Sequence, residues 1–571
     1  MFKKMLTLLR SKLANDVAPV LGCSPEKVLS LLEIPKDVKF GHLSVPVFWL
    51  AKELKKAPPL IAIEFATALN GKNFDYLDKV EPVAGFINFY FKPEVLFKNL
   101  NEQIKNESHL GYGQKGAGKK VVIDYSSPNV AKPMHVGHLR ATVIGQAIRN
   151  LAETQGYNVI GLNHLGDWGS QFGKLAWAYK KWGHEFPFDK NAFESLYGLY
   201  VKFHQEVEAH PEYEQEGAIT FKKLEEGDPE VTALWKKFIE ISMKDFDEIW
   251  KRLGVKHDLV RGESFYNDRL DDVVKRLQAK NLLIESEGAQ VVDLTAEGMA
   301  PCLIRKSDGA SLYATRDLAS AFYRHEELKS DLNLYVVGID QNFHFKQVFT
   351  VLKKMGYEWA DQCQHIGFGM IRFKDGEKIS SRKGNIIRFK DVLNQAVELV
   401  KDIIRAKNPN IINLDLTAEQ VAVGAITFND LVNDRVKNVE FDWDRALSFD
   451  GDSGPYVQYC HVRCVSILRK YGKEVPTTFA VTPTSTEEVE LMKKLLEYEL
   501  ALSNAFQQMK PNIIANYLLE VCAIFNRFYQ NHRIIGGDES LAPARIALVN
   551  ATRVTLKQGL KVLNIAAPEE M

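Results

Sequence analysis

The chain has 571 residues, well beyond the roughly 250 to 300 residues at which one hydrophobic core stops growing, so several domains are expected. Its 73 Lys and Arg balance 73 Asp and Glu, which excludes a chain-wide basic surface for nucleic acid and leaves room only for a local one. The six cysteines lack the paired spacing of zinc sites, and no apolar run approaches the roughly 20 residues of a membrane span. We expect a soluble, cytoplasmic monomer without a protein-bound metal.

The first 110 residues form a predicted N-terminal α+β domain. Helical patterns alternate there with one apolar strand, residues 86–91. The region ends in residues 111–118, where four glycines among polar residues are typical of a linker. We therefore place a domain boundary at residue 110.

Residues 111–395 carry the pattern of a doubly wound, Rossmann-like parallel sheet. The apolar run 121–123 predicts a buried strand, a helix with Leu139, Val143, Ala147 and Leu151 on one face follows, and residues 159–162 predict a second strand. This order of strand, helix and strand is typical of a right-handed βαβ crossover. We expect the strand runs 302–304 and 334–338 to complete the same sheet.

Two further segments are predicted to be helical. Residues 180–300 are charged and look like an insertion into the sheet, with one helix capped by Asp228 and begun by Pro229. Residues 396–571 contain long periodic helices, which predict a C-terminal all-α bundle.

The loop after the first strand ends in His135-Val136-Gly137-His138, here called the HVGH turn. A helix that begins after a strand presents free N–H groups and the positive end of its dipole, which suits phosphate. Two histidines on its first turn could donate to phosphoryl oxygens, and Gly137 would let an adenine ring approach the backbone. For such a short motif alone, a pair of helix-capping histidines is the simpler interpretation.

A second motif follows about 240 residues later. Residues 378–385 (KISSRKGN) gather cations and hydroxyls in a loop with a glycine near its end, which could close over a triphosphate. Taken alone, a lysine-rich loop is usually just solvated.

The two motifs together resemble the signatures of class I aminoacyl-tRNA synthetases. Residues 126–145, 163–173, 227–235, 261–266, 313–319 and 381–385 are similar, in order, to arginyl-tRNA synthetases over nearly the whole chain. The resemblance implies that ATP, as a substrate with Mg²⁺, activates L-arginine to an adenylate, which is then transferred to tRNA(Arg). It also implies that activation requires bound tRNA.

The resemblance assigns catalytic and ATP-binding residues. His135 and His138 would act on the phosphates with Lys132, Lys378 and Lys383, while Gly137, Gly338, His344, Met370, Ser380 and Ser381 would contact ATP. The second loop departs from the wider class because Ser381 stands where a lysine is common. In arginyl enzymes that lack this lysine, one just before the first motif is thought to substitute, and Lys132 has that position. His344 could equally be an interior histidine.

An arginine pocket needs carboxylates that meet a planar, permanently charged guanidinium. By resemblance, Asp124, Tyr313 and Asp317 take the guanidinium, while Ser126, Asn129, His135 and Gln341 hold the rest of the amino acid. For Asp317 alone, a local ion pair with Arg316 or Arg324 is the competing interpretation.

The resemblance also predicts RNA contacts on both outer domains. The N-terminal domain would touch the tRNA elbow through Phe86 and Asn88. The C-terminal bundle would bind the anticodon, with candidate residues Tyr456, Tyr459, Arg463, Tyr529 and Met571. Aromatic and cationic side chains suit unpaired bases, although tyrosines at this spacing more often belong to a core.

Three alternatives remain open at the level of sequence. A class I synthetase of another specificity would use the same motifs with a different pocket. A catalytically inactive RNA-binding paralogue would keep the fold, but the intact HVGH turn and lysines speak against it. A free-standing nucleotidylyltransferase would leave the helical C-terminus without a role.

Overall fold

The computed structural model of the chain describes residues 5–35, 37–306, 313–373 and 388–571. At its centre is a parallel sheet of five strands, which are β4 (Lys120–Asp124), β5 (Asn158–Asn163), β6 (Leu259–Val260), β10 (Leu332–Tyr335) and β11 (Cys363–His365). Their order across the sheet is β11-β10-β4-β5-β6. The predicted parallel-sheet fold class is confirmed.

The N-terminal region packs helices against a three-stranded antiparallel sheet. Its elements are α1 (Met5–Leu21), α2 (Pro25–Leu31), β1 (Leu43–Pro46), α3 (Ala51–Leu54), α4 (Pro58–Asn70), β2 (Leu77–Val83), β3 (Phe86–Phe91) and α5 (Pro93–Ile104), with strand order β1-β3-β2. One face of β3 buries Ile87, Phe89 and Phe91 in the core. The opposite face carries Phe86, Asn88 and Tyr90, as the two-residue period of a strand requires.

Helices surround and interrupt the parallel sheet in the middle region. They are α6 (Val136–Thr154), α7 (Ser170–Trp182), α8 (Ala192–Ala209), α9 (Glu212–Glu225), α10 (Pro229–Leu253), α11 (Leu270–Ala279), α12 (Tyr313–Glu326) and α13 (Asn342–Lys354). Helix α10 begins as predicted, since the Asp228 carboxylate accepts from the Val231 N–H at 2.9 Å. Helices α8 to α11 lie within residues 180–300, the predicted insertion.

The strand prediction at residues 302–304 is correct, but its place in the fold was wrong. Strand β9 (Cys302–Arg305) pairs with β8 (Ala289–Val292), which pairs with β7 (Leu283–Ser286), in a separate antiparallel sheet. An apolar run signals burial but does not identify the neighbouring strand. Of the run 334–338 predicted for the same sheet, residues 334 and 335 do join it as part of β10, directly beside β4.

The C-terminal region is a helical bundle tied to the middle region by one strand pair, β12 (Ile371–Phe373) with β13 (Val439–Phe441). Its helices are α14 (Phe389–Lys407), α15 (Leu414–Leu431), α16 (Trp443–Ala446), α17 (Gly454–Tyr471), α18 (Thr486–Leu496), α19 (Tyr498–Gln507), α20 (Asn512–Asn531) and α21 (Ala542–Val562). Helices α15, α19 and α21 all contact α6. Within the described ranges, no helix is long and apolar enough to cross a membrane.

Candidate active site

Helix α6 begins at the HVGH turn, and both histidines of the turn cap it. The His135 Nδ1 accepts from the Gly137 N–H at 3.0 Å, and the His138 Nδ1 accepts from the His135 N–H at 3.2 Å. The two imidazole rings lie 4.0 Å apart between centroids. The capping interpretation of the sequence is therefore part of the structure.

The same hydrogen bonds fix which ring nitrogen carries the proton. Burial and the charge of Lys132 lower the pKa of His135 to about 4. Burial lowers the pKa of His138 to about 3, together with smaller effects of His135 and Lys132. Both rings are consequently neutral near pH 7. A neutral imidazole whose Nδ1 is an acceptor holds its proton on Nε2, so each histidine keeps one N–H donor that the cap does not use.

The structure gives a steric reason for a glycine at position 137, which the sequence did not reveal. A Cβ at this position would lie 2.7 Å and 2.8 Å from the Cε1 and Nδ1 of His135. The absent side chain thus makes room for the His135 ring to fold back over the turn. The Lys132 ammonium lies nearby, 5.1 Å from the centre of the Tyr200 ring.

The second motif falls outside the described residues, and with it Lys378, Ser380, Ser381 and Lys383. The residues that flank it are described on both sides. Before the motif, strand β12 contacts α6. After it, Arg388 forms an isolated antiparallel β-bridge with His135, and the Phe389 N–H donates to the Met134 carbonyl at 2.9 Å. The segments before and after the second motif therefore both lie beside α6, and the segment after it lies at the start of this helix.

The loop between β4 and α6 is held in a strained backbone conformation. Ser126, Ser127 and Ala131 have φ values of 75°, 46° and 64°, in the left-handed region that residues with a side chain seldom adopt. Ser126 is buried, and its hydroxyl contacts Thr142 Oγ1 at 2.9 Å and accepts from Trp250 Nε1 at 2.9 Å. Asn129, by contrast, is exposed.

Asp124, at the end of β4, lies in a buried ion pair with Arg324. The Arg324 Nη2 is 2.7 Å from Asp124 Oδ2, and Ser127 Oγ donates to Oδ1 at 3.0 Å. Both carboxylate oxygens thus have partners within the chain. Arg324, which the sequence offered as a partner for Asp317, pairs with Asp124 instead.

Asp317 lies on the first turns of α12, where its Oδ2 is 2.5 Å from His344 Nε2. This contact brings together a residue predicted to bind arginine and one predicted to bind ATP. Among the ion pairs of the described residues, neither Arg316 nor Arg324 forms the local pair considered for Asp317. Tyr313 is exposed at the same helix start.

Glu263 lies close enough to Asp317 and to Asp167 for the charges of both to act on it. Burial raises the pKa of Glu263 to about 7. The Arg316 guanidinium acts to lower this pKa, and the charges of Asp167 and Asp317 act to raise it. Burial also raises the pKa of Asp167, which accepts from the backbone and hydroxyl of Ser264. Both residues lie in segments that carried the family resemblance, but their spacing in sequence gave them no role.

The predicted ATP contacts follow the carboxyl ends of β10 and β11. Gly338 pairs with Phe368 in a parallel bridge, and Gln341 lies exposed three residues later. Met370 is also exposed, and its N–H donates to Asn438 Oδ1 at 2.8 Å. Open α/β sheets bind ligands at this edge. Among the described residues, no group of three or more His, Cys, Asp or Glu could hold a metal ion.

Helices α17 and α20 form a surface from the predicted RNA contacts. The Arg463 guanidinium lies 5.1 Å from the Tyr459 ring and 5.3 Å from the Tyr529 ring, and these tyrosines are 39% and 42% exposed. We call these three residues the Tyr-Arg-Tyr platform. Asn526 holds it by accepting from Arg463 at 2.6 Å and donating to the Tyr456 hydroxyl at 2.9 Å.

The remaining predicted RNA contacts are less exposed. Met571 is half-buried at the end of the chain, and its carbonyl accepts from Asn408 at 3.4 Å. In the N-terminal region Phe86 packs edge-to-face on the exposed Phe48, at 5.3 Å between centroids. Asn88 lies on the same face of β3 but is only 2% exposed.

Comparison with known proteins matches every region of the chain. Residues 7–91 match the family described as arginyl tRNA synthetase N terminal domain, residues 100–443 the class I tRNA synthetases (R), catalytic domain, and residues 457–571 the DALR anticodon binding domain. An arginine–tRNA ligase of Clostridium botulinum (strain Loch Maree / Type A3) is 45% identical over 95% of this chain and 96% of its own. The chain belongs to the arginyl-tRNA synthetase family.

Other relatives agree with this assignment. Arginine–tRNA ligase 2 of Bacillus anthracis is 47% identical over 96% of both chains. The arginyl-tRNA synthetase of Thermus thermophilus superposes with a TM-score of 0.84 at 26% identity, over 99% of this chain and 100% of that one. As a member of this class I family, the chain is an aminoacyl-tRNA ligase with ATP as a substrate.

Proposed function

We propose that this arginyl-tRNA synthetase forms arginyl-adenylate at the HVGH turn and transfers the arginyl group to the 3′ end of tRNA(Arg). The overall reaction converts ATP, L-arginine and tRNA(Arg) into arginyl-tRNA, AMP and pyrophosphate. The observation that carries the proposal is the pair of neutral histidines, each with an N–H donor left over at a helix N-terminus.

In the first step the arginine carboxylate attacks the α-phosphate of ATP, and pyrophosphate leaves in line. Negative charge on the phosphoryl oxygens grows in the transition state, where fixed donors stabilise it most. The Nε2–H groups of His135 and His138 would donate to these oxygens, and the first N–H groups of α6 would add to the same field. Because both rings are already held by backbone hydrogen bonds, little reorganisation is needed.

Lys132 is the cation we propose for the phosphates on this side of the site. Its charge is close enough to lower the pKa of both histidines, so it would also reach an anion bound between them. Lys378, Lys383, Ser380 and Ser381 would approach from the second motif, whose flanking residues lie beside the turn. Mg²⁺ would enter as part of the substrate, bound by phosphate oxygens.

The acidic group around Asp317 is the proposed guanidinium site. Burial, together with the negative charges of Asp167 and Asp317, raises the pKa of Glu263 to about 7, and a bound guanidinium would stabilise the charged form of this carboxyl. Tyr313 would flank the pocket, while Asn129, His135 and Gln341 would hold the amino and carboxylate ends. Asp124 would act through its pair with Arg324, and Ser126 through the shape of its loop.

For adenosine we propose a site along the carboxyl ends of β10 and β11, with Gly338, His344 and Met370 as its contacts. Gly137 would act on the nucleotide through the shape of the HVGH turn, because its missing side chain leaves room for the His135 ring.

For tRNA we propose the Tyr-Arg-Tyr platform with Tyr456 and Met571, and Phe86 with Asn88 on the N-terminal sheet. The exposed rings of the platform and its cation support the anticodon side of this proposal. We further propose that the enzyme works as a cytoplasmic monomer.

The decisive test is aminoacylation of purified tRNA with each standard amino acid, with ATP and Mg²⁺ present. Arginine alone should be attached, and omission of Mg²⁺ should abolish the reaction. The Asp317→Asn variant should lose most of its arginine use because an amide cannot pair ionically with a guanidinium. Unchanged use of arginine by this variant would favour another specificity, and no ATP consumption by the unsubstituted chain would favour a paralogue without catalysis.

A further inference from the structure

Arg140 is a fully buried cation on α6, five residues after His135, and it binds three separate segments of the chain. Its Nη1 donates to the Gly369 carbonyl at 2.7 Å and to the Lys437 carbonyl at 2.8 Å. Its Nε lies 2.8 Å from Asp430 Oδ2, and both side chains of this ion pair are at most 1% exposed. One guanidinium thus joins the catalytic helix, the segment before β12 and the C-terminal region.

The segment that Arg140 holds is the one that carries Met370. The Gly369 N–H donates to the Arg435 carbonyl at 2.9 Å, and the Val439 N–H donates to the Met370 carbonyl at 2.9 Å. A Cβ at Gly369 would lie 2.5 Å from the Lys437 carbonyl oxygen, so the two backbones are in direct contact. The position of Met370 relative to the HVGH turn is therefore set through residues of the C-terminal region.

Stability alone does not account for this arrangement. A buried ion pair costs so much desolvation that well-packed apolar residues often stabilise a fold equally well or better. Within the described part of the chain, Arg140 Nη2 and Asp430 Oδ1 also have no hydrogen-bond partner, which adds to the cost. What apolar residues could not reproduce is the pair of hydrogen bonds that fixes the Gly369 and Lys437 carbonyls.

We infer that Arg140 is a positioning residue for the ATP site. Through its contacts with Asp430 and Lys437, Arg140 holds the Gly369–Met370 backbone at a fixed distance from the HVGH turn. The inference rests on the proposed function, in which the phosphates lie at the turn and the adenine beside Met370. Loss of the guanidinium would let the two parts of the ATP site move apart, while the arginine pocket around Asp317 stays in place.

The test replaces the ion pair by apolar residues, in the double variant Arg140→Met with Asp430→Leu, and measures the KM for ATP and for arginine in aminoacylation. The matched control is Arg545→Met with Glu488→Leu. That pair is also buried at 2.8 Å, but it joins α21 to α18 inside the C-terminal bundle. Thermal unfolding of both double variants shows whether they fold. Asp430→Asn, which keeps the size of the side chain and an acceptor for Nε, is measured alongside.

We expect the KM for ATP to rise about tenfold in the Arg140 double variant and less in Asp430→Asn, with the KM for arginine within about twofold of the starting value. A purely structural role would lower the active fraction and leave both KM values unchanged. An unchanged KM for ATP in a folded variant, or an equal rise in the control, overturns the inference. If the double variant does not fold, Asp430→Asn decides by the same comparison. An unsubstituted chain that makes no arginyl-tRNA instead refutes the proposed function, and the inference with it.

Discussion

Each histidine of the HVGH turn uses one ring nitrogen for the fold and leaves the other for a ligand. From sequence, a cap and a phosphate site looked like competing interpretations. The structure makes the two compatible, because a cap through Nδ1 forces the proton of a neutral ring onto Nε2. Function and stability at this position can therefore be separated by substitution.

His135→Asn should separate them. Asparagine is a good N-cap, so the free energy of unfolding should change by only about a few tenths of a kcal/mol, but its side chain is too short to reach the position of Nε2. The rate of ATP–pyrophosphate exchange should fall about 100- to 1000-fold, as on loss of one donor to a developing oxyanion. His135→Ala should lose the same activity and about 1 kcal/mol of stability besides. Full activity of the asparagine variant would reduce His135 to a cap.

Glu263 predicts a pH dependence of arginine use. With a pKa of about 7 in the free enzyme, the carboxyl is protonated below this pH and charged above it. Only the charged form attracts the guanidinium, so kcat/KM for arginine should rise between about pH 6 and about pH 8 with a midpoint near the pKa of Glu263.

The matched measurement uses Glu263→Gln, in which this rise should disappear and kcat/KM for arginine should be low throughout. The KM for ATP serves as the control and should not follow the same curve. A midpoint that survives the substitution would assign the titration to another group.

Residues within one motif could be predicted from the sequence, but residues brought together by the fold could not. The spacing of His135 and His138 was visible at once. The ion pair between Asp124 and Arg324, and the acidic group of Asp167, Glu263 and Asp317, join positions far apart in the chain. No periodicity reports such proximity, which arises from the order of strands in the sheet.

At the scale of elements, apolar runs predicted the strands and the helix that carry the site. Strands β4 and β5 lie where apolar runs predicted buried strands, and β10 overlaps the predicted run 334–338. The error at β9 has a physical reason, since a short apolar run fits an antiparallel hairpin as well as a parallel sheet. The site was unaffected because it depends on the strands beside β4.

Helix α17 gives a prediction for tRNA binding. Arg463 lies over the rings of both Tyr459 and Tyr529, an arrangement that would offer a stacking surface to unpaired bases. Removal of the guanidinium in Arg463→Met should raise the KM for tRNA(Arg) about 5- to 100-fold, the range expected for one stacked base, and leave the KM for ATP and arginine unchanged.

Arg469→Met on the same helix is the control, since it removes an equal charge further along α17. It should have a much smaller effect on tRNA, because the cation that lies between the two rings of the platform is Arg463. Equal effects of the two variants would point to general attraction of RNA by charge. No effect of Arg463→Met would remove the platform from the RNA interface.

At the scale of the whole molecule, helix α6 is packed in part by the region that matches the anticodon binding domain. Helices α19 and α21 of that region contact α6, as does α15, and Arg140 ties α6 to residues 430–439. If the C-terminal bundle has two arrangements, a ligand that binds one of them more tightly shifts the equilibrium toward it. Because the bundle contacts α6, such a shift can change the position of the HVGH turn. This coupling gives a physical route for the tRNA requirement that the family resemblance implies.

The prediction is that ATP–pyrophosphate exchange with arginine depends on tRNA(Arg). Without tRNA the exchange rate should be at least about tenfold lower than with saturating tRNA(Arg), which corresponds to a coupling free energy of about 1.4 kcal/mol or more. A tRNA of another specificity, added at the same concentration, is the control and should not restore the rate, because the contacts that shift α6 would be incomplete. Arg463→Met should need more tRNA(Arg) for half-maximal exchange yet reach the same plateau. Exchange that proceeds equally well without tRNA would mean that α6 already holds the HVGH turn in its active position, and the packing of the bundle would then serve stability alone.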